Sequence, residues 1–185
     1  MAQLELPEGV ADPASHAFSL IPEMGQAALA FSTAAYQYCR LTLRELEGAR
    51  FMTALLNGCV VCQEFRAKRD LESQVRRAGG TGPIHALDGG DAPDEAFYDA
   101  VPHYRTASGL TERERLMIEL AERMGQAPLE LQGDTAFWSR IHDAFEDREL
   151  VSATFAIAAW MGLGRAFHTL EIDNICLPTF DRHAA

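Results

Sequence analysis

Cys59 and Cys62 are the residues of this chain best placed to do chemistry together. They enclose two valines in a C-x-x-C pattern, whereas the other cysteines, Cys39 and Cys176, stand alone in the sequence. In a reducing compartment, a pair at this spacing is more often catalytic or metal-binding than structural. The pair therefore predicts thiol–disulfide chemistry or a metal site.

A turn signal directly precedes the pair. Asn57-Gly58 is a strong helix breaker, so one helix should end there and another should run from Cys59 to about Ala78. The thiols would then lie in the first turn of the second helix. Unpaired backbone N–H groups and the helix dipole favour the thiolate in that position, and the thiolate is the form that attacks disulfides and peroxides.

An acid and a base flank the pair at distances that a helical hairpin would bring together. Arg66 shares one predicted helix face with Cys59 and Cys62, and Glu47 lies eleven residues before the turn at Gly58. With a rise of about 1.5 Å per residue, Glu47 and Arg66 would differ in height by only about 4–5 Å. We expect a coupled pair in which Arg66 lowers the pKa of Cys62 and Glu47 carries the proton. The alternative is a salt bridge that only joins two helices.

Helical periodicity accounts for most of the chain, and no segment alternates as a strand between turn signals. The sequence predicts an all-α fold, a single-domain bundle of about seven helices over residues 23–173. An extended N-terminal arm over 1–22 and an irregular tail over 174–185 complete it. The predicted helices cover about 23–39, 43–56, 59–78, 94–101, 111–125, 134–145 and 147–168.

Composition narrows the classes of partner. The chain has 185 residues, 48% of them hydrophobic, which is enough for one sizeable core. Its net charge of −11 makes nucleic acid and anionic membrane surfaces poor partners. The N-terminus lacks the pattern of a secretory signal, and the longest apolar run, 151–163, is too short to span a bilayer. We therefore expect a cytoplasmic protein that binds neither nucleic acid nor membrane.

The segment 150–163 is apolar on nearly every side of its predicted helix. A helix of that kind is central in its domain or lies in an interface. One domain of this size does not readily cover so much apolar surface, and large exposed patches usually mark partners. The segment predicts a homo-oligomer.

Glu47, followed after eleven residues by the cysteine pair with Asn57-Gly58 before it, resembles the signature of the carboxymuconolactone decarboxylase superfamily. Within that superfamily it is similar to the alkyl hydroperoxidase D-like branch. The likeness covers about residues 29–173 and includes the segments 110–114 and 164–173.

The resemblance implies an all-α homo-oligomer whose cysteines cycle between dithiol and disulfide without a metal or an organic cofactor. It implies that Cys62 attacks the peroxide, that Cys59 resolves the intermediate, and that Glu47 is the acid of a proton relay. The expected substrate is a peroxide or a disulfide, and the expected reductant is a protein or a lipoyl-type dithiol.

Two positions depart from the family pattern. The usual histidine four residues beyond the second cysteine is Arg66 here, and a histidine sometimes found between the cysteines is replaced by Val61. Arginine does not give up its proton in proteins, so Arg66 cannot shuttle one. It can still hold Glu47 or lower a thiol pKa by its charge.

Other interpretations remain open from the sequence. The chain can be a structural or ligand-binding member of the superfamily whose thiols are idle, because a fold can outlive its chemistry. A decarboxylase-like role would need a histidine near Glu47, which this stretch lacks. Structural zinc needs four N or S ligands, and neither a second C-x-x-C nor a pair of histidines follows.

Overall fold

The computed structural model describes residues 3–10 and 12–172, and over these residues the secondary structure is helical without a strand. This confirms the predicted all-α bundle. A short 3₁₀ turn, Val101–His103, follows the seventh helix. The α-helices are α1 (Pro13–Ser19), α2 (Pro22–Tyr38), α3 (Leu43–Asn57), α4 (Val60–Glu64), α5 (Ala67–Arg77), α6 (His85–Asp88), α7 (Glu95–Ala100), α8 (Glu112–Gln126), α9 (Pro128–Gly133), α10 (Thr135–Ala144) and α11 (Asp147–Thr169).

The described residues hold eleven α-helices where about seven were predicted, and each additional helix has an identifiable place. Helix α1 lies in the predicted arm, α6 in a predicted loop, and α9 in a predicted link. The fourth comes from the predicted helix 59–78, which is two helices. The predicted tail 174–185, with Cys176, lies outside the described residues.

The prediction of an extended arm is wrong for residues 13–19, because Asp12 caps a helix there. Its carboxylate accepts a hydrogen bond from the backbone N–H of Ser15 at 3.0 Å, and Pro13 occupies the first turn. Helix α1 packs on α2, and its Phe18 meets Phe167 of α11 edge-on, with ring centroids 5.4 Å apart. Hydrophobic contact therefore fixes this segment to the bundle.

Helix α3 is the centre of the bundle and packs mainly against α8 and α11. It begins with a capping box, in which Thr42 and Glu45 exchange side-chain and backbone hydrogen bonds. A second capping box, formed by Thr111 and Glu114, opens α8 in the same way. Because α3 is covered on nearly every side, the polar residues in its middle lie in the protein interior.

Helix α11 packs against α2 and α3 along much of its 23 residues. The complete helix is longer than its apolar run, and by length and composition alone it could cross a membrane. Core helices of water-soluble proteins meet the same criterion. The expectation that this segment is too short to span therefore holds for the run 151–163 but not for the helix.

Candidate redox site

A disulfide joins Cys59 and Cys62, with their Sγ atoms 2.10 Å apart. Cys59 is the N-cap of α4, and its Sγ accepts a hydrogen bond from the backbone N–H of Cys62 at 3.2 Å. Cys59 is only 2% exposed, whereas Cys62 is half-buried. Cys62 is therefore the sulfur that a reagent in solution reaches, and Cys59 lies behind it.

Cys39 takes no part in this bond. It is free, buried at the end of α2, and its Sγ lies 3.5 Å from the hydroxyl of Ser152. Burial raises the pKa of the Cys39 thiol, which keeps it protonated and unreactive near neutral pH. Cys39 therefore has the environment of a small buried hydrophobic residue.

The turn before the pair depends on Gly58. Its φ of 66° lies in the left-handed region, which closes α3 as the breaker Asn57-Gly58 predicted. The N–H groups of Gly58 and Cys59 then donate to carbonyls in the last turn of α3, at 3.1 Å each. The chain reverses at once, so Cys59 stays against the core.

The helix predicted from Cys59 to Ala78 is broken at Phe65 and Arg66. Both residues have extended backbone, so α4 is a single turn and Arg66 caps the start of α5. The predicted common face of Cys59, Cys62 and Arg66 is therefore wrong. A helix of one turn also contributes only a small dipole to the thiols.

Glu47 is completely buried, and its carboxylate is held by Arg50 rather than by Arg66. Nε and Nη2 of Arg50 donate to the two carboxylate oxygens at 2.8 and 2.9 Å. The hydroxyl of Tyr98 donates a third hydrogen bond at 2.8 Å. The predicted Glu47–Arg66 pair is thus wrong: an arginine one turn along α3 occupies that position.

Arg50 connects this buried carboxylate to the segment that carries the two cysteines. Its Nη1 donates to the carbonyl of Cys62, its Nη2 donates to the carbonyl of Phe65 at 3.3 Å, and its guanidinium lies over the ring of Phe65. Burial lowers the pKa of Arg50, but the charge and hydrogen bonds of Glu47 together with the neighbouring Tyr36 and Tyr98 outweigh burial and hold the pKa above its ordinary value. A permanent positive charge is therefore fixed at the backbone of Cys62.

Tyr98 ties three helices together at the same point. Its hydroxyl, besides donating to Glu47, accepts a hydrogen bond from the N–H of Ala67 at 3.2 Å. Burial and the neighbouring charge of Glu47 raise the pKa of Tyr98, so the hydroxyl keeps its proton and remains a donor. Through Tyr98, α7 holds the start of α5 against α3.

Arg66 lies on the outer side of the break. Its guanidinium pairs with Glu95 at 2.8–3.0 Å, covers the ring of Tyr98, and donates to the carbonyls of Gln63 and Phe65. These hydrogen bonds hold the pKa of Glu95 below its ordinary value. Arg66 therefore stabilises the connection between α4 and α5 from outside.

Helix α11 closes the site from the other side of the turn. Trp160, Gly164 and His168 follow each other at intervals of four, which places them along one face. The side-chain amide of Asn57 donates to the carbonyl of Trp160 at 3.2 Å, and a Cβ added to Gly164 would lie 2.2 Å from that amide. A glycine at this position allows α11 to approach the turn at Asn57-Gly58 closely. We call this turn, which precedes Cys59, the redox turn.

His168 lies directly over the turn. A Cβ added to Gly58 would be 3.4 Å from Cε1 and 3.8 Å from each ring nitrogen of His168. The imidazole is exposed, so it contacts both solvent and the residue that precedes Cys59. It brings a histidine that lies late in the chain to the residue next to Cys59.

The structure thus brings Cys59, Cys62 and Glu47 into one region and places Arg66 at its edge. Three further residues of this region were missed, namely Arg50, Tyr98 and His168. Arg50 could have been found, because oppositely charged residues three apart on a helix often pair. Tyr98 and His168 carry no local signal, since only the tertiary fold brings them to the site.

The residues described by the structure contain no group of three or more His, Cys, Asp or Glu side chains that could hold a metal ion. No protein-family model, curated protein or solved structure matches the chain. The superfamily resemblance therefore stays a prediction from the sequence pattern.

Proposed function

We propose that the protein is a thiol-dependent oxidoreductase of the alkyl hydroperoxidase D-like kind, which reduces a peroxide or a disulfide with Cys59 and Cys62. The observation that carries the proposal is the unequal burial of two bonded sulfurs. One sulfur is accessible to a substrate, and the other is sheltered behind it. That is the arrangement required of an attacking and a resolving thiol.

In the reduced enzyme, the Cys62 thiolate attacks one oxygen of a hydroperoxide. The O–O bond breaks, Cys62 becomes a sulfenic acid, and the leaving alkoxide takes a proton to become an alcohol. The Cys59 thiol then loses its proton and displaces hydroxide from Cys62, which forms the disulfide and water. A disulfide substrate would give a mixed disulfide on Cys62, and Cys59 would then release the second thiol. A protein or lipoyl-type dithiol reduces the pair again.

Arg50 is the charged group that supports this chemistry. A cation beside a cysteine favours the thiolate, and Arg50 is fixed at the carbonyl of Cys62. Glu47 holds Arg50 in place, and a proton could reach its carboxylate only by displacing Arg50 or Tyr98. We therefore assign Glu47 to positioning Arg50, in place of the predicted proton transfer.

The second candidate is a structural or ligand-binding protein in which the disulfide is permanent. The complete pairing of the buried Glu47 favours it, because satisfied buried ion pairs are commonly structural. The two candidates differ in whether the disulfide opens and closes under mild conditions.

The test is a count of free thiols in the protein before and after reduction with a dithiol and again after dilute hydrogen peroxide. We expect the peroxide to remove two thiols per chain from the reduced wild type and from the control variant Cys39→Ser. Cys59→Ser should instead accumulate a sulfenic acid on Cys62, detected by mass spectrometry with dimedone. If Cys59→Ser and Cys62→Ser lose thiols as the wild type does, or if a dithiol never opens the bond, the proposal is wrong.

A further inference from the structure

Closing and opening the pair requires a proton to leave and return to Cys59. Cys59 is 2% exposed, so water reaches it poorly. Arg50 and Arg66 cannot accept a proton, and the oxygens of Glu47 already accept three hydrogen bonds inside the core. None of these three groups can therefore carry the proton between Cys59 and solvent.

His168 lies where such a group is needed. Its ring stands over Gly58, the residue bonded to Cys59, and is itself exposed to solvent. Any larger residue at position 58 would fill the space between the backbone and the imidazole. An imidazole is the side chain whose proton exchange is best suited to neutral pH.

Among the described residues, the charged groups nearest to His168 in sequence are Arg165 and Glu171. Glu171, in the turn after α11, interacts with His168 electrostatically and also accepts a hydrogen bond from Gln3. Arg165, one turn earlier, directs its guanidinium to the carbonyl of Gly125 on α8 at 2.7 Å. On the side of the redox turn, the amide of Asn57 is neutral, and the titratable group is the thiol of Cys59 in the reduced protein.

We propose that His168 is the acid–base group of Cys59. It takes the Cys59 proton, directly or through one water, as that sulfur attacks Cys62 and hydroxide or a thiolate leaves. It returns a proton to the Cys59 sulfur when a dithiol reductant opens the disulfide. The proposal rests on the dithiol cycle proposed above and adds the group that completes its proton balance.

The experiment isolates the reaction of Cys59. Reduced protein carrying Cys39→Ser and Cys176→Ser is mixed with dithionitrobenzoate, an aromatic disulfide that releases a coloured thiolate. The first thiolate appears when Cys62 attacks the reagent, and the second appears when Cys59 closes the ring. Each phase is recorded from about pH 5 to pH 8.5, which spans the titration of an imidazole.

We expect the second phase of His168→Ala to be at least tenfold slower than that of the parent protein at neutral pH and less dependent on pH over this range, while the first phase is unchanged. General base catalysis is typically worth about 10²- to 10⁴-fold. Free imidazole added to His168→Ala should restore the rate, because the removed side chain leaves an exposed space.

The matched control is His103→Gln, which removes an exposed histidine of the 3₁₀ turn and should leave both phases unchanged. The inference is overturned if His168→Ala and His168→Gln keep the second phase of the parent, or if imidazole does not restore a slowed one. A parent protein that releases no second thiolate would overturn the proposed function itself. The two failures are therefore distinguishable.

Discussion

Arg50 joins the core of the protein to its reactive segment. The guanidinium is 4% exposed, and it donates to Glu47 on one side and to the carbonyls of Cys62 and Phe65 on the other. These carbonyls stand where α4 ends, so helical hydrogen bonds do not satisfy them. Arg50 therefore neutralises a buried carboxylate and closes a helix end at the same time.

Removal of Arg50 should be strongly destabilising. Arg50→Met leaves the buried carboxylate of Glu47 without its cation, and breaking one partner of a buried pair typically costs about 3–5 kcal/mol. We expect a loss of that size in the free energy of unfolding, measured by urea denaturation of the oxidised protein. The double variant Glu47→Gln/Arg50→Met should recover part of it. A loss below about 1 kcal/mol, as for an exposed pair, would contradict this account of the core.

Arg66 should have little influence on Cys62. Its ion-pair partner is Glu95, whose carboxylate is 71% exposed, so the pair contributes less than about 1 kcal/mol. We expect Arg66→Met to leave the rate of Cys62 alkylation in the reduced protein within about twofold, because a change of one pKa unit would be needed for tenfold. A tenfold decrease in the rate of Cys62 alkylation with unchanged stability would contradict this expectation and show that Arg66 influences Cys62.

The contribution of the Arg66–Glu95 pair to the stability of the protein should depend on pH. Arg66 lowers the pKa of Glu95 in the folded protein, so the stabilisation is present above the ordinary carboxyl pKa of about 4.3 and is lost as the pH falls through the lower folded value. Wild type and Arg66→Met should therefore converge in urea midpoint in acid. Glu95→Gln, the matched control, should show the same small difference at pH 7. If Glu95→Gln keeps the urea midpoint of the wild type, the Arg66–Glu95 pair does not account for the difference in stability between wild type and Arg66→Met.

At the scale of the helices, local signals predicted the central elements and missed the break beside the cysteines. Helices α3 and α8 begin at capping boxes formed by residues three apart in the sequence, and α3 ends at a glycine. The break at Phe65 and Arg66 has no proline or glycine to mark it. Its free backbone groups are satisfied partly by Asp70 and the guanidinium of Arg66, and partly by Arg50 and Tyr98, which lie farther away in sequence. A prediction from periodicity alone therefore continues the helix through Phe65 and Arg66.

The prediction of the site was limited by the same cause. The cysteines and Glu47 were found because their spacing along one hairpin is regular. Arg66 was placed on the wrong side because its position depended on an unbroken helix. His168 comes to the turn only because α11 approaches α3 closely at Gly164, a packing detail that no short pattern encodes.

Two glycines of α11 offer a matched test of this close approach. A Cβ at Gly164 would lie 2.2 Å from the amide of Asn57, whereas a Cβ at Gly162 would meet nothing within 4 Å. We expect Gly164→Ala to destabilise the protein by about 1–3 kcal/mol through overpacking. Gly162→Ala should stabilise it by up to about 1 kcal/mol through helix propensity. Thermal unfolding measures both, and equal shifts would contradict the packing of α11 against the redox turn.

At the scale of the whole molecule, α2 and α11 form an adjacent antiparallel pair with an apolar outer side. Their orientation follows from Tyr36 beside Trp160 and Cys39 beside Ser152. The outer side exposes large apolar side chains at intervals of about seven residues on α2 and four on α11, namely Met24, Phe31, Tyr38, Val151 and Phe155. We call this surface the α2/α11 face.

The α2/α11 face is also free of charge in a strongly acidic chain. Residues 24–39 and 150–164 contain no Asp, Glu, Lys or Arg, although the protein carries a net charge of −11. Two copies that meet elsewhere on the surface would bring like charges together, whereas this face adds no such repulsion. We therefore expect the predicted homo-oligomer to use α2 together with the C-terminal helix.

We predict that two copies associate through the α2/α11 face. Stable interfaces bury about 1,200–2,000 Å² in total and place large apolar side chains at their centre. Phe155, at 60% exposure, is a large apolar side chain that such burial would remove from water. Sedimentation should show a wild-type species heavier than the 20.4 kDa chain at micromolar concentration, and Phe155→Glu should shift it to the monomer because a buried unpaired charge opposes association. Leu129→Glu, which alters a still more exposed apolar residue on α9, is the control and should leave the oligomer intact. A compact wild-type monomer, or equal dissociation by both substitutions, would show that this face is not the interface.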